Sequence, residues 1–205
     1  RLQTLDESRQ EFVSNVSHEL KTPLTSMKVL ADSLMGQEDI PVELYREFMT
    51  DIGAEIDREN KIINDLLSLV KMDKSAGNIN ITSVQINELL ERIMKRLRPS
   101  AQKQNVELVM ESFRPVVGEV DEVKLTLALT NLIENAIKYN RPSGSVTVSI
   151  HSAESAVLEV TDTGIGISPE NQEKIFDPFY RVDKSRSRAM GGAGLGLALV
   201  SEIAR

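Results

Sequence analysis

Residues Ser17-His18-Glu19-Leu20-Lys21-Thr22-Pro23 place one of the chain's two histidines inside an amphipathic run, with an acid beside it and a threonine one helical turn on. Around them Leu2, Leu5, Phe12, Val16, Leu20, Leu24, Met27, Ala31 and Leu34 recur at three- and four-residue steps, with a gap near Ser8 and Arg9. That spacing predicts one long helix over residues 1 to about 36, ended by Gly36. Pro41 suits a first helical turn, where its missing N–H costs nothing. Beyond it Tyr45, Met49, Ile52, Ile56, Ile63, Leu66 and Val70 form a second apolar seam, broken near Glu59 and Asn60. Two long helices with a short connection make an antiparallel hairpin. Each has one apolar face and little to bury it, so dimerisation into a four-helix bundle is expected. A monomeric hairpin packed on the rest of the chain is the alternative.

Lys74-Ser75-Ala76-Gly77-Asn78 is small and polar, and the expected domain boundary falls there, dividing residues 1–75 from 76–205. The pattern then changes. Val84 to Gln104 reads as helix, Val106 to Met110 alternates like a strand, and Asp121 to Tyr139 is helical again. Val146 to His151 and Ala156 to Val160 read as paired strands. Ser168-Pro169-Glu170 resembles a helix start, and Gly194 to Arg205 a last helix. Helices gathered against a mixed sheet make an α+β domain.

Composition narrows the function. The net charge is −7 with 27% charged residues, which argues against a nucleic-acid partner. Zero cysteine excludes a disulfide scaffold and a thiolate zinc site. Aromatics are 4% with no tryptophan, so a base-stacking platform is not expected. No apolar run approaches the roughly 20 residues needed to span a bilayer, and no signal peptide is visible. A cytoplasmic polypeptide that binds anions locally fits this balance.

Five features carry chemistry. A neutral imidazole, of reference pKa about 6.5, is a nucleophile near neutrality, and Glu19 can fix the tautomer of His18. Pro23 clashes with the carbonyl four residues back, that of Glu19, so a kink is expected beside the histidine. Thr22 shares the face of His18 and can hold a water there. In Asn131-Leu132-Ile133-Glu134-Asn135-Ala136-Ile137-Lys138-Tyr139, the two asparagines and Lys138 share one helical face. Amide oxygens suit Mg²⁺, and Lys138 can meet phosphate. A polar solvated face is the plain alternative, although asparagine is a poor helix former.

Asp162-Thr163-Gly164-Ile165-Gly166 follows a strand, and its carboxylate can accept from the exocyclic amine of adenine. Gly191-Gly192-Ala193-Gly194-Leu195-Gly196-Leu197 runs into a helix start, which favours phosphate. It is neither a Walker loop nor a dinucleotide fingerprint. Between these lie Phe176-Asp177-Pro178-Phe179-Tyr180-Arg181 and the basic segment Lys184 to Arg188, read as a lid with anchoring aromatics. Arg181 can stabilise charge on a transferred phosphoryl group. A nucleophile in one half and a phosphate cradle in the other suggest phosphoryl transfer onto the chain's own imidazole.

These motifs, in this order, resemble the transmitter portion of bacterial sensor histidine kinases over nearly the whole chain. His18 to Leu24 is similar to the phosphoacceptor box, Asn131 to Tyr139 to the asparagine box, and Asp162 to Gly166 to the first glycine box. Phe176 to Phe179 is similar to the phenylalanine box, and Gly191 to Gly196 to the second glycine box. The resemblance implies a dimerisation and histidine phosphotransfer hairpin, then an ATP-binding α/β sandwich of the type shared with gyrase and heat-shock chaperones. It implies ATP-dependent phosphorylation of His18, transfer to an aspartate of a response regulator receiver domain, and phosphatase activity toward that regulator.

The resemblance also assigns roles. Glu19 would be the general base, and His18, Thr22 and Arg181 would complete the catalytic set. Asn135, with Asn131, would hold Mg²⁺. Asn131, Asn135, Lys138, Tyr139, Asp162, Gly164, Gly166, Gly192, Gly194, Leu195, Gly196 and Leu197 would bind ATP. Ala193 departs from the threonine or serine common there. The family continues beyond the position of Arg205 with more helix and two closing strands, so the chain is expected to be a fragment whose sheet is unfinished. Sensor and membrane segments normally precede this region, so a membrane would be reached only through segments outside this chain, which would be the cytoplasmic portion of a plasma-membrane sensor. Two rivals stand beside this reading. An ATP-hydrolysing chaperone or topoisomerase-type domain would want a glutamate where Asn131 stands, and an inactive scaffold would have no need of His18, Asn135 and Asp162.

Overall fold

The computed structural model describes residues 2–36, 39–74, 79–112, 114–152, 155–183 and 192–204, without the side chains of 2–9, 72–74 and 152. The chain divides into two compact units, Arg1–Val70 with Pro178–Leu195, and Lys71–Asp177 with Gly196–Arg205. The expected boundary at residues 75–78 and the lid segment 184–188 lie outside the described residues.

In the first unit, α1 (Leu2–Met35) and the hairpin's return helix α2 (Val42–Lys74) are the two long helices expected. Gly36 ends α1 by donating to the Asp32 carbonyl at 3.1 Å. Pro41 stands just before α2, and its carbonyl accepts from the Tyr45 N–H at 3.0 Å. Helix α1 runs on through Pro23, which is fully buried. The unit's apolar centre is Ile62, Ala193 and Leu195, with Leu20, Leu66, Leu69 and Phe179 packed on it. Along the expected α2 seam Tyr45, Met49, Ile56, Ile63 and Val70 are exposed in the single chain, while Ile62, which the seam did not include, is buried.

The second unit is a helix-and-sheet layer. A four-residue strand β1 (Thr82–Gln85) precedes α3 (Ile86–Lys103), so the helix expected from Val84 begins later. β1 pairs antiparallel with β3 (Val117–Val120), with Val84 opposite Gly118. Neither strand was expected. Four residues are too few to show alternation, and the partner lies some thirty residues on. The main sheet has the order β2-β4-β5, with β2 (Glu107–Ser112), β4 (Ser145–Ser152) and β5 (Ala156–Asp162). β2 runs parallel to β4, and β5 antiparallel to it.

Helix α4 (Glu122–Lys138) lies between β3 and β4 in the chain and contacts α3 and both later strands. Its Asp121 cap accepts from the Lys124 N–H at 3.0 Å. Val146, Val148 and Ile150 of β4 alternate into a core with Leu89, Leu90, Ile93, Ile133 and Ile137, the periods of two and 3.6 meeting at one apolar layer. Ser168-Pro169 does start a helix, but α5 (Pro169–Gln172) is a single turn followed by a 3-10 turn at Lys174–Phe176. The Ser168 side chain makes no capping bond. The last helix, α6 (Gly196–Ala204), starts two residues later than expected and packs on α4.

Candidate functional site

In the second unit the C-terminal end of α4 is stitched to the loop after β5. The Ile165 N–H donates to the Tyr139 carbonyl at 3.1 Å, and the Gly164 N–H donates to Asp162 Oδ1 at 2.8 Å. Gly164 is required here. A Cβ would stand 2.5 Å from the Tyr139 carbonyl oxygen and 2.6 Å from Asp162 Oδ1. Gly166 has φ +70°, the left-handed region glycine enters without steric cost. The Asp162 side chain stays exposed, with a second carboxylate oxygen to offer. Lys138 Nζ lies 5.2 Å from the centre of the Tyr139 ring. Tyr139 at the end of α4 and the Asp162–Gly164 turn, from two motifs, therefore meet.

Two residues that sequence reasoning passed over hold this junction. Buried Asn140 donates from Nδ2 to the carbonyls of Ala136 and Ser145, at 3.1 and 3.0 Å. Its Oδ1 accepts from the Arg141 N–H and from Thr163 Oγ1. Thr163 Oγ1 in turn accepts from the Ser145 N–H at 2.9 Å. The signal was an asparagine just past the helix's capping Tyr139, followed by Arg-Pro, but such a run also marks an ordinary turn.

Asn131 does not face outward. Its Nδ2 donates to the Leu127 carbonyl at 2.9 Å, and it is buried. Its Oδ1 lies against Gly196, where a Cβ would stand only 2.6 Å away. Asn131, Asn135 and Lys138 do share one face of α4, but at Asn131 that face is buried, not solvated. Asn131 seats the first residue of α6, and half-buried Asn135 is left as the oxygen donor of the pair. Leu197 follows in the first turn of α6, where N–H groups and the helix dipole favour an anion. Among the described residues no cluster of three carboxylates or histidines could cage a metal. An amide donor suits a Mg²⁺ that brings phosphate oxygens and waters as its other ligands.

In the first unit His18 is exposed on α1. Thr22 Oγ1 donates to the His18 carbonyl at 3.0 Å, which uses the hydroxyl's proton but leaves its lone pairs. Glu19 is not turned to the imidazole as expected. Its Oε1 pairs with Arg181 Nη2, and both side chains are largely buried, 15% and 7% exposed. Arg181 Nη1 also donates to the Gly192 carbonyl at 2.8 Å. Its Nε is buried without a partner, an arrangement costing about 1–3 kcal/mol.

Beside this pair, Phe179 has φ +66°, uncommon for a bulky side chain and worth of order 1–3 kcal/mol of strain. Its N–H donates to the Gly194 carbonyl at 3.0 Å. Its ring meets Phe12 at 5.4 Å between centroids, in a tilted pair. Gly194 has φ +75°, and a Cβ there would stand 2.7 Å from the Tyr180 carbonyl oxygen. Leu195 is buried with Ile62. Phe179 is thus the anchoring aromatic, while Phe176 remains exposed.

Residues 8–75 match the family described as "His Kinase A (phospho-acceptor) domain", and residues 120–205 the family described as "Histidine kinase-, DNA gyrase B-, and HSP90-like ATPase". The chain is 39% identical over 203 residues to a protein named sensor histidine kinase WalK of Bacillus subtilis, covering 97% of this chain and 33% of that protein. It therefore spans about a third of that relative's length. Among solved structures, full-length ShkA in complex with AMPPNP is similar with a TM-score of 0.65 and 26% identity, covering 94% of this chain and 40% of that one. Histidine kinase ThkA, solved in complex with response regulator protein TrrA, has a TM-score of 0.70 at 21% identity, covering 83% of this chain and 50% of that one. At that identity the likeness is one of fold.

Proposed function

Because the chain belongs to the histidine kinases of bacterial two-component systems, we propose that it binds ATP, phosphorylates its own His18 and passes the phosphoryl group to an aspartate of a response regulator receiver domain. The observation carrying this reading is an exposed histidine beside an acid on α1, in one chain with the α4–β5 junction where the Asp162–Gly164 turn is joined to Tyr139.

In the proposed reaction a neutral ring nitrogen of His18 attacks the γ-phosphorus of ATP. The bond to the β,γ-bridging oxygen breaks, ADP leaves, and the ring proton passes to Glu19. The carboxylate of Asp162 would accept from adenine, and Gly164 and Gly166 let backbone approach the base. Lys138, Gly192, Gly194, Leu195, Gly196 and Leu197 would serve the phosphates, with Arg181 at the transferred group. Asn135 would hold Mg²⁺, whose charge neutralises the phosphate oxygens. Asn131 would act one step back by seating Gly196. Thr22, with lone pairs left to accept from a water, would serve hydrolysis of the regulator's aspartyl phosphate. The water-activating alternative draws no support from Asn131, an amide where that chemistry wants a carboxylate, its Nδ2 donating to the Leu127 carbonyl.

Two further readings go with this one. The hairpin would dimerise through the exposed α2 seam. The chain would be the cytoplasmic portion of a plasma-membrane sensor, reaching the membrane through segments outside it. No helix among the described residues is long and apolar enough to cross a membrane.

The test is incubation with γ-labelled ATP. Acid-labile, base-stable label on the wild type, absent from His18→Gln with ATP binding retained, is the expected result. Label retained in that variant would overturn the assignment.

A further inference from the structure

We propose that Asn140 and Thr163 are positioning residues for the base-reading carboxylate. Together they clamp the end of β5 to the end of α4, and so set the preference for a purine that carries an exocyclic amine. The proposal rests on the nucleotide reading of Asp162 and names the residues that give that carboxylate its place.

Asn140 uses every hydrogen-bonding position of its amide. Its Nδ2 donates to the carbonyls of Ala136, in the last turn of α4, and Ser145, at the start of β4. Its Oδ1 accepts from the Arg141 N–H at 2.9 Å and from Thr163 Oγ1 at 3.1 Å. A carboxamide offers two donors and two lone pairs, so none is left over. Turning the amide round would set donor against donor. The residue is buried, so a bond lost here leaves a polar group unpaired.

Thr163 carries the link to the sheet. Its hydroxyl accepts from the Ser145 N–H at 2.9 Å, and its own N–H donates to the Ser145 carbonyl at 3.2 Å. Val146 stands opposite Asp162 in the β4–β5 ladder, and Thr163 extends that ladder by one residue. The Asn140 and Thr163 side chains close over Gly144. A Cβ there would stand 2.1 Å from Asn140 Oδ1 and 2.6 Å from Thr163 Oγ1. Backbone partners hold both side chains, so neither can swing aside.

The clamp fixes what lies on either side of Thr163. Asp162 Oδ1 is occupied by the Gly164 N–H, and Oδ2 is the oxygen turned to the base. The Ile165 N–H reaches the carbonyl of Tyr139, the residue before Asn140. A hydrogen bond weakens steeply once its length and angle leave the optimum. A small shift of the turn therefore breaks the contact with the amine, while the triphosphate keeps its own partners.

ATP and purine riboside triphosphate differ only in the exocyclic amine. Each is titrated into the full chain by calorimetry, with Mg²⁺ present. Ribose and phosphates are common to both, so the ratio of affinities reads the base contact alone. The wild type should favour ATP roughly tenfold to a hundredfold. Thr163→Val keeps the shape, removes the hydroxyl and should bring the ratio to within about threefold, through weaker ATP binding. Thr163→Ser, which keeps the hydroxyl, should restore it. Asn140→Asp, which loses both donors, should follow Thr163→Val. Amide hydrogen exchange on the unliganded chain gives a second readout. The Ile165 N–H should exchange faster in Thr163→Val than in wild type or Thr163→Ser. A merely structural loss would lower both affinities together. An unchanged ratio in Thr163→Val, beside a wild type that discriminates, would thus overturn the proposal. A wild type that binds the two nucleotides equally would overturn it together with the role of Asp162. Faster Ile165 exchange in a protein that binds neither nucleotide would uphold the clamp and count against the nucleotide reading alone.

Discussion

Gly196 lies so close to Asn131 that a methyl group on its Cα would stand 2.6 Å from the carboxamide oxygen. Gly196→Ala should therefore push α6 off α4 and cost about 1–3 kcal/mol, as overpacking in a tight contact does. Nucleotide affinity should fall with it. Adding Asn131→Ala should restore part of the lost thermal stability, because the obstructing amide is gone. A fully additive pair of losses in the melting temperatures would show that the two residues do not meet.

At the α4–β5 junction, Gly164→Ala should abolish nucleotide binding, since its Cβ would meet the Tyr139 carbonyl oxygen, a backbone atom that cannot rotate away. Asp162→Asn should weaken binding strongly while leaving the helical hairpin untouched. Calorimetric titration with ATP checks both. Unchanged affinity in Asp162→Asn would remove that carboxylate from the site.

Thr22→Ala should leave autophosphorylation in place and slow dephosphorylation of the phosphorylated regulator. The hydroxyl's proton is spent on the His18 carbonyl, so the proposed role lies in its lone pairs. Thr22→Ser, which retains them, should stay near the wild-type rate. Equal dephosphorylation rates for all three proteins, with ADP present, would leave Thr22 only its helical bond.

Asp121 caps α4 through Lys124 and also accepts from the Asn80 N–H at 3.1 Å. These bonds, that from Lys124 foremost, hold its carboxyl below the usual range. A group with a lowered folded-state pKa adds stability above its unfolded value, about 3.9, and loses it as pH falls through the folded value. Asp121→Ala should thus cost about 1 kcal/mol near neutrality. The difference from wild type should shrink below pH 4 or so, in denaturant titrations taken at successive pH values.

The exposed Tyr45, Met49, Ile56, Ile63 and Val70 of α2 should be covered by a second copy of the chain. Light scattering at micromolar concentration should return a dimer mass, and Ile56→Glu should shift it toward monomer. A monomeric wild type would contradict the bundle.

Periodicity made α1, α2, α4 and the β4–β5 pair legible, because each is long enough to repeat its pattern several times. β1 and β3 were not, since four-residue strands carry no period and their pairing is non-local. The site divides in the same way. Asp162, Gly164 and Tyr139 announce themselves through residue type, and the turn and the helix end do meet. Which way Asn131 faces depends on Gly196, sixty-five residues on, and no local pattern encodes that. The partner of Glu19 is likewise set by Arg181, far along the chain. Asn140 and Thr163 escaped notice because a turn asparagine and a strand-end threonine look alike whether or not they knit a site.

The parallel pairing of β2 with β4 bears on how the second unit assembles. Those strands cannot meet through a tight turn, so the chain between them must be closed before any ladder bond forms. That chain contains α4. The helix that carries Asn131, Asn135 and Lys138 is thus also the spacer across which the sheet must zip. Its early formation should govern the folding rate of the unit, and substitutions on its apolar face, at Leu129 or Ile133, should slow refolding more than they speed unfolding.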